Sequence, residues 1–267
     1  MEEFERNKKT DPIPEQYNGF EEVFKKAEFD TLPLKRPWDH AIELKPGSEP
    51  AGCKIYPLNL DEQKELDTFF EEHLHTGHIQ PSKSPMALPF FFVKRKDRRL
   101  RPVQDYRKLN NMTIKNQYPL PLIQELVNKL KGTKYFTKLD VRWGYNNVLI
   151  KEGDEWKAAF LTNRGLFKPL VMFFGLTNSP ATFQTMMHEL LRDLINTGKV
   201  LVYIDDILIF TNNLDKHCKL VHQSILRANK LYLKPEKCEF EKQQIEFLGL
   251  IVSKGKVKMD PIKVSGI

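Results

Sequence analysis

The stretch KVLVYIDDILIF, residues 199–210, decides the fold, because it places two adjacent carboxylates inside an otherwise apolar run. The pattern predicts two short strands, with Asp205 and Asp206 at the point where the first strand ends. An ionised carboxylate that is buried without a partner is costly, because it loses its hydration. Taken alone, the pair favours a tight hairpin turn, since Asp tolerates turn dihedrals, and a metal site is the second explanation. The stretch alone leaves both explanations open.

The composition is that of an ordinary globular protein with a surplus of basic residues. The chain has 267 residues, of which 40% are hydrophobic and 29% charged, and its formal net charge is +7. This length suffices for one large or two small domains. No apolar run approaches the ~20 residues that span a bilayer, so no membrane partner is expected. The three cysteines are far apart, and we expect reduced thiols in an intracellular protein.

The basic surplus is concentrated in VKRKDRRLR, residues 93–101, which sets six basic residues around one acidic residue. Such a run is typical of the solvated tip of a hairpin. It is equally typical of a surface that contacts phosphates. A positive net charge permits a polyanionic partner but does not require one. Both interpretations therefore stay open at this point.

The first part of the chain predicts an irregular arm followed by a helix. Residues 1–58 are rich in Pro and lack sustained periodicity, so we expect an extended arm that packs on something larger. Asn59 begins a helix that Glu62 caps in return. The core face of this helix is predicted to carry Leu66, Phe69, Phe70 and Leu74.

The rest of the chain alternates helices with hairpins. Helices are predicted over 121–131, after Asn178 or Ser179, and from Asn213 onwards, and residues 134–150 are predicted as strand, turn and strand. Because this order lacks a strict βαβ rhythm, it predicts the α+β class, with an antiparallel sheet and helices packed on one face.

A third carboxylate, Asp140, lies at the end of the apolar strand YFTKLD. If that strand neighbours the strand before Asp205, three carboxylates converge at one edge of the sheet. Like charges so close do not all stay ionised unless a cation neutralises them. Oxygen ligands of this kind favour Mg²⁺, and two such ions ~4 Å apart would serve an in-line phosphoryl displacement. Whether Asp140 meets Asp205 does not follow from the residues alone.

Seven ordered motifs over roughly residues 55–265 give the chain a family resemblance. They are GHIQPSKSPMALPFFFVKRKD, LRPVQDYRKLNNMTIKNQYPLP, FTKLDVRWGYNNV, FFGLTNSPATFQTMM, YIDDILIF, LKPEKCEF and IEFLGLIVS. In this order they resemble the reverse transcriptases of gypsy-like LTR retrotransposons. The resemblance implies a right-hand polymerase with fingers and palm. It also implies an RNA-directed and DNA-directed DNA polymerase, which transfers a nucleotide from a dNTP to a primer 3′-OH on an RNA or DNA template.

The same resemblance implies a domain organisation. The arm over 1–58 precedes fingers over 59–118, to which 151–175 return, and the palm takes 119–150 and 176–250. Residues 251–267 would begin the connection to the thumb, so the thumb is expected to be absent or only begun. The remaining Pol domains, namely thumb, RNase H and integrase, would be partners in a parent polyprotein. The implied location is intracellular, in a cytoplasmic virus-like particle or in the nucleus.

The resemblance further implies the metal-binding residues. Asp140, Asp205 and Asp206 would form the catalytic triad that holds two Mg²⁺ ions, with Mn²⁺ as a substitute. Val141 would add a backbone group to the metal site. On this interpretation, the paired Asp residues sit on a hairpin turn so that metal ions replace the water that they lose.

Residues around the nucleotide are implied in the same way. Phosphate contacts would come from Arg101 and one of Lys94 and Arg95, because cations offset the charge that shifts during transfer. Arg142 would help to hold the triphosphate through a backbone group. Tyr145 would lie under the sugar and collide with a ribose 2′-OH. Without the resemblance, Tyr145 would be assigned to the core. The turn that borders the nucleotide would be formed by Phe174 and Gly175.

Two further roles are implied near the end of the chain. Lys237 is a candidate general acid that protonates pyrophosphate. The primer end would be positioned by Tyr203, Phe247, Leu248 and Gly249. The alternative for the last three residues is an ordinary core hairpin.

Three positions depart from the family pattern. Arg98 and Arg99 follow Asp97 where the family usually has Gly, Phe173 replaces a Pro, and Pro169 replaces an aromatic residue. None of these changes touches the triad. Two other functions stay open, namely an RNA-directed RNA polymerase, which Tyr145 disfavours, and a catalytically silent nucleic-acid-binding fragment that lacks the thumb.

Overall fold

The computed structural model describes residues 13–24, 31–50, 52–94, 99–141, 144–227, 231–254 and 256–259. The chain divides into two compact units. The first unit comprises Met1–Lys26, Pro119–Arg142 and Met186–Ile267, and the second comprises Ala27–Tyr118 and Trp143–Thr185. The arm over 1–58 is therefore shared between the two units, and the assignment of fingers and palm to the ranges above stays a prediction.

The second unit is built around a five-stranded sheet with the strand order β1-β6-β5-β2-β3. The strands are β1 (Ile79–Pro81), β2 (Leu88–Lys94), β3 (Leu100–Gln104), β5 (Phe160–Thr162) and β6 (Gly165–Pro169). All neighbouring strands are antiparallel except β2 and β5, which pair in parallel. Among the described residues, the α-helices that lie wholly in this unit are α1 (Leu60–His75) and α2 (Arg107–Met112), and 3-10 helices lie at Gly144–Asn147 and Glu155–Ala158.

Helix α1 begins as the sequence predicts. The side chain of Asn59 accepts a hydrogen bond from the backbone N–H of Glu62 at 2.9 Å, and the Glu62 carboxylate accepts one from the N–H of Asn59 at 2.9 Å. These two bonds satisfy N–H groups that the first turn leaves without partners. The core face differs in one position, because Leu74 is 42% exposed while His73 is buried. The prediction for Leu74 was wrong, since His73 is the residue that packs between Phe69 and Phe173.

The first unit contains an antiparallel four-stranded sheet with the order β7-β8-β4-β9. Its strands are β4 (Tyr135–Asp140), β7 (Val200–Tyr203), β8 (Asp206–Thr211) and β9 (Glu239–Lys242). A separate three-stranded sheet is formed by β10 (Gln244–Phe247), β11 (Leu250–Ser253) and β12 (Lys256–Met259). The α+β class with an antiparallel palm sheet is thus confirmed.

Helices complete the first unit on both faces of the four-stranded sheet, whereas the sequence predicts them on one face. Helix α5 (Leu214–Arg227) contacts β8, β4 and β9. Helix α3 (Ile123–Leu130) joins the small sheet in an apolar cluster on the opposite face of β4 and β8. That cluster contains Leu126, Leu130, Phe136, Leu201, Leu208, Phe210, Ile245, Phe247 and Val252. Helix α4 (Ser179–Asn196) contributes residues to both units.

One predicted strand does not form. Residues after β4 were expected to turn and continue as a second strand, but a 3-10 helix occupies Gly144–Asn147. The following residues make only single bridges, Leu149 with Val171 and Ile150 with His40. The strands that pair with β4 are instead β8 and β9.

Part of the arm is tied to the first unit. Glu15–Phe24 forms a bent 3-10 helical segment in which Tyr17 is 1% exposed. The ring of Tyr17 stacks on Phe240 at 5.3 Å, and its hydroxyl donates to Glu241 at 2.8 Å. Packing of this kind agrees with an arm that rests on a larger body, although the segment is helical rather than extended.

The structure also bears on the cysteines and on membrane-spanning helices. Cys53, Cys218 and Cys238 are free thiols. Within the described ranges, the helices are too short or too polar to cross a membrane.

Candidate active site

The YIDD stretch forms a hairpin turn, as its sequence predicts. Tyr203 at the end of β7 pairs with Asp206 at the start of β8, so Ile204 and Asp205 form the connection. Ile204 has a φ of 51°, which a β-branched residue rarely adopts and which costs about 1–3 kcal/mol. Such strain persists only where the surroundings fix it. The turn therefore holds Ile204, the residue before Asp205, in a conformation that the chain would not choose freely.

The three acidic residues meet because β4 and β8 are neighbours. Asp140 and Asp206 are direct partners in the β4–β8 register. The backbone N–H of Val141 donates to the carbonyl oxygen of Asp205 at 3.0 Å. The structure thus brings Asp140, Val141, Asp205 and Asp206 to one edge of the sheet, which the residues alone did not establish.

Burial and mutual repulsion change the acidity of the two turn carboxylates. Burial, followed by the charges of Asp140 and Asp206, raises the pKa of Asp205 to about 6. Burial also raises the pKa of Asp206, against the opposing effect of the Lys138 ammonium. The Oδ1 atom of Asp205 is buried and has no hydrogen-bond partner. A buried carboxylate oxygen in that position is suited to bind a cation.

Two lysines offset the charge of Asp140. The Nζ atom of Lys237 lies 3.4 Å from Asp140 Oδ2, and that of Lys234 lies 3.9 Å from Oδ1. Lys234 also donates its backbone N–H to the carbonyl oxygen of Asp140 at 2.9 Å. Lys234 was missed in the sequence, although it lies three residues before Lys237. That spacing places two residues on one face of the 3-10 helix Pro235–Lys237 and its cap.

The donor chemistry of this edge fits a hard divalent cation. Among the described residues, no group of three or more His, Cys, Asp or Glu side chains is arranged together as a metal-ligand set. Asp140 is instead directed at Lys234 and Lys237. The available donors are nevertheless all oxygens, namely three carboxylates and nearby carbonyls, and Asp205 Oδ1 is without a partner. Oxygen-only donors favour Mg²⁺ over softer metals.

The predicted nucleotide residues of the second unit form an aromatic and cationic stack. The guanidinium carbon of Arg101 lies 5.1 Å from the ring centroid of Phe174. Phe174 in turn lies 4.9 Å from Tyr145, which contacts Phe183 edge-on at 5.6 Å. Tyr145 is 9% exposed and Phe174 is 49% exposed. The stack therefore runs from the core to a solvent-facing cation.

Of the other residues predicted to contact the nucleotide, the structure describes Lys94 and Gly175. Lys94 ends β2 and pairs with Leu100, so the basic stretch does connect β2 and β3. Gly175 has a φ of 103°, and a Cβ there would lie 3.3 Å from the Tyr106 ring, so both conformation and space favour Gly. Arg95 and Arg142 lie outside the described residues.

The predicted primer-positioning residues all belong to the first unit. Phe247 is 2% exposed and ends β10, and the next two residues connect it to β11. Leu248 has a φ of 51° and Gly249 a φ of 76°. Tyr203 and Leu248 are partly buried against the same apolar cluster as Phe247. Phe247 thus has a core role, Gly249 has a left-handed turn conformation, and Leu248 combines the two.

A family model described as reverse transcriptase (RNA-dependent DNA polymerase) matches residues 93–252. That match covers more than half of the chain, and the chain belongs to the reverse transcriptase family. The resemblance to the reverse transcriptases of gypsy-like LTR retrotransposons is confirmed by its relatives.

The relatives are polyproteins of transposons. The chain is 40% identical over 228 residues to the Retrovirus-related Pol polyprotein from transposon 297 of Drosophila melanogaster, in an alignment of 82% of this chain with 21% of the polyprotein. It is 35% identical over 247 residues to the Transposon Tf2-3 polyprotein of Schizosaccharomyces pombe, where 90% of this chain aligns with 18% of the polyprotein. The chain spans about a fifth of the length of these relatives.

Solved structures confirm the fold. The foamy viral protease-reverse transcriptase in complex with RNA/DNA hybrid matches with a TM-score of 0.82 at 20% identity, over 94% of this chain and 33% of that chain. A dRH form of that protein in complex with double-stranded DNA also matches with a TM-score of 0.82, at 21% identity over 94% and 44%. These likenesses show the fingers and palm fold, and the family description carries the connection to polymerase chemistry.

Proposed function

We propose that this chain is the fingers and palm portion of an RNA-directed DNA polymerase, which also copies DNA templates. The observation that carries the proposal is the edge where Asp140 opposes Asp206 and Asp205 holds a buried oxygen without a partner. Family membership supports the same reaction. The substrates would be a dNTP and a primer annealed to an RNA or DNA template. The parent would be a Pol polyprotein that replicates a retrotransposon inside the cell.

The acidic edge would hold divalent metal, which the reverse transcriptase family generally uses. We propose two Mg²⁺ ions, with Mn²⁺ as a substitute, held by Asp140, Asp205 and Asp206 with a backbone group of Val141. When bound, such ions activate an attacking oxygen and stabilise a leaving one. The high pKa of Asp205 means that metal binding must displace a proton at mildly acidic pH.

Lysine and arginine side chains would neutralise the negative charge of the nucleotide phosphates. Lys237 is half-exposed beside Asp140, where its ammonium can donate a proton to leaving pyrophosphate. Arg101 is held over Phe174, which orients its guanidinium for a bidentate grip on the triphosphate. One of Lys94 and Arg95 would add a further phosphate contact, and a backbone group of Arg142 would help to hold the triphosphate. Phe174 and Gly175 would border the nucleotide, and Tyr145 would select its sugar.

Primer extension tests the proposal. The purified chain is given a labelled primer on an RNA or a DNA template, with Mg²⁺ and either dNTPs or rNTPs. Extension with dNTPs on both templates is expected, and EDTA or the variant Asp205→Asn abolishes it. Duplex binding without extension would instead identify a catalytically silent nucleic-acid-binding fragment. Extension with rNTPs alone would identify an RNA polymerase.

A further inference from the structure

The turn between β10 and β11 is held in a conformation that its sequence does not favour. Leu248 adopts a φ of 51°, in the left-handed region that Gly or Asn usually occupies. Leu248 packs partly buried against the apolar cluster that contains Phe247. The packing must therefore supply the free energy that the backbone conformation costs. A turn maintained in this way depends on the position of the strand that leads into it.

Lys138 ties that leading strand to β4. Its Nζ atom donates to the carbonyl oxygen of Glu246 at 3.1 Å, one residue before Phe247. The same Nζ atom pairs with Glu239 Oε1 on β9 at 3.0 Å. The side chain of Lys138 is 18% exposed, so the ammonium is shielded from solvent. A charge-assisted hydrogen bond in such surroundings is stronger than one at an open surface.

Lys138 also has a fixed relation to the acidic edge. It lies two residues before Asp140 on β4, and alternate residues of a strand point to the same face. One side chain thus connects the strand that bears Asp140 to the start of the Phe247–Leu248–Gly249 turn. Lys138 was not singled out in the sequence, because its partner at Glu246 is a backbone carbonyl that no side-chain pattern reveals.

We propose that Lys138 is a positioning residue, which sets the distance between the Asp140 strand and the turn that would hold the primer end. The inference rests on the proposed function, since a primer 3′-OH has to be held against the acidic edge. Group transfer is sensitive to such placement, and a displacement of about 1 Å costs about 100-fold in rate. The rival explanation is that Lys138 only stabilises the fold or only offsets the charge of Asp206.

Three variants separate these explanations. Lys138→Met keeps the apolar stem and removes both polar contacts, whereas Lys138→Arg keeps a charged donor. Lys256→Met is the matched control, because Lys256 is an exposed lysine of β12 in the same small sheet as Glu246. For each variant, the single-turnover rate of nucleotide addition and the duplex dissociation constant are measured. The unfolding midpoint identifies any general loss of stability.

We expect Lys138→Met to lower the addition rate roughly 10- to 100-fold, with little change in duplex affinity. Lys138→Arg should recover most of that rate, and Lys256→Met should match the parent. An addition rate for Lys138→Met equal to that of an active parent overturns the inference. A loss that merely follows the unfolding midpoint, without recovery by Lys138→Arg, overturns it as well.

A second measurement does not depend on polymerase activity. It therefore distinguishes failure of the proposed function from failure of the inference about Lys138. Hydrogen exchange at the amides of 247–250 is compared with exchange in the β7–β8 hairpin. Lys138→Met should accelerate exchange in the first segment and leave the second unchanged. A parent that extends no primer refutes the proposed function, while unchanged exchange at 247–250 refutes the role of Lys138.

Discussion

The backbone N–H of Val141 donates to the carbonyl oxygen of Asp205 at 3.0 Å, which joins the end of β4 to the YIDD turn. Because this bond uses backbone atoms only, it aligns Asp140 with Asp206 whatever the side chains are. The charge of the acidic edge can therefore be changed by substitution without removing the bond that builds the edge. Substitutions of the carboxylates consequently test chemistry more than folding.

Asp205→Asn should abolish primer extension and stabilise the metal-free protein at pH 7. The pKa of Asp205 is raised to about 6 from an ordinary value of 3.8. Between these values the folded state binds more protons than the unfolded state, so stability falls as pH rises through this window. Above it the ionised carboxylate destabilises the fold by at most about 3 kcal/mol. Asn removes that charge. Denaturant unfolding in EDTA measures the resulting increase in the free energy of unfolding.

The control for this experiment is Asp67→Asn, because Asp67 is an exposed carboxylate of the second unit that pairs with Arg164. It should leave extension intact and stability nearly unchanged. Parent-level extension by Asp205→Asn would contradict the catalytic assignment. A metal-free protein that becomes less stable would contradict the electrostatic argument.

His217 should make the first unit sensitive to acid. The residue is fully buried on α5, and its Nε2 atom lies 2.8 Å from the Thr137 hydroxyl. Burial lowers the pKa of His217 to about 4 from 6.5. Between these values the unfolded state binds the extra proton, so stability is lost as pH falls from about 6.5 towards 4, by up to roughly 3 kcal/mol. His217→Gln should flatten this part of the unfolding profile.

An exposed histidine provides the comparison for His217. His75 is exposed near the end of α1, and His75→Gln should keep the acid sensitivity of the parent. Unfolding free energies between pH 7 and pH 4 are measured by denaturant titration for all three proteins. Equal slopes for the parent and His217→Gln would show that another group carries the effect.

Nucleic-acid binding should depend steeply on salt. The net charge is +7, and each phosphate contact that is lost lowers the slope of log K against log salt by about 0.9 for duplex DNA. Lys94 and Arg99 are exposed residues of the basic stretch. Lys94→Gln with Arg99→Gln should therefore reduce the slope by about 2 if both contact phosphate. Fluorescence anisotropy with a labelled duplex at several salt concentrations measures this slope.

Lys35→Gln is a suitable control, since Lys35 is an exposed lysine of the same unit that pairs with Glu152 at 2.6 Å. It should leave the slope as in the parent. A slope that the double variant does not change would place the phosphate contacts elsewhere on the chain. Affinity that is indifferent to salt would refute electrostatic binding altogether.

Local features of the fold were predictable from the sequence. The cap at Asn59, the hairpin at YIDD and the cap at Asn213, whose side chain accepts from the N–H of Lys216 at 2.9 Å, each depend on residues a few positions apart. Turn and cap chemistry is short-ranged, so a sequence pattern records it directly.

Long-range pairing was not predictable in the same way. β4 pairs with β8, and β2 pairs in parallel with β5, although the strands of each pair are far apart in the sequence. Such pairings depend on how several helices and strands pack together, which a local sequence pattern does not record. Lys138 and Lys234 were missed for this reason, since each reaches a backbone carbonyl or a carboxylate far away in the chain. The family resemblance was needed to group Asp140 with Asp205 and Asp206, because strand propensity does not show that β4 and β8 are neighbours.

Tyr145 should select the sugar of the incoming nucleotide. Its ring lies 4.9 Å from the half-exposed Phe174 and 5.6 Å from the buried Phe183, so one side of it faces the core and the other faces the predicted nucleotide residues. A phenol ring beneath the sugar would collide with a 2′-OH and displace a ribonucleotide from in-line geometry, at a cost of about 100-fold in rate. Tyr145→Val should therefore raise ribonucleotide incorporation selectively, with a smaller loss for deoxynucleotides.

A variant on the core side of the ring separates sugar selection from packing. Phe183→Leu removes the buried aromatic neighbour of Tyr145 and should lower stability by about 1 kcal/mol. Because the Tyr145 ring itself is kept, both sugars should lose rate equally. Single-nucleotide insertion kinetics with matched deoxy and ribo substrates measure the ratio for each variant. A ratio that Tyr145→Val leaves unchanged, together with a loss of stability like that of Phe183→Leu, would assign Tyr145 to the core alone.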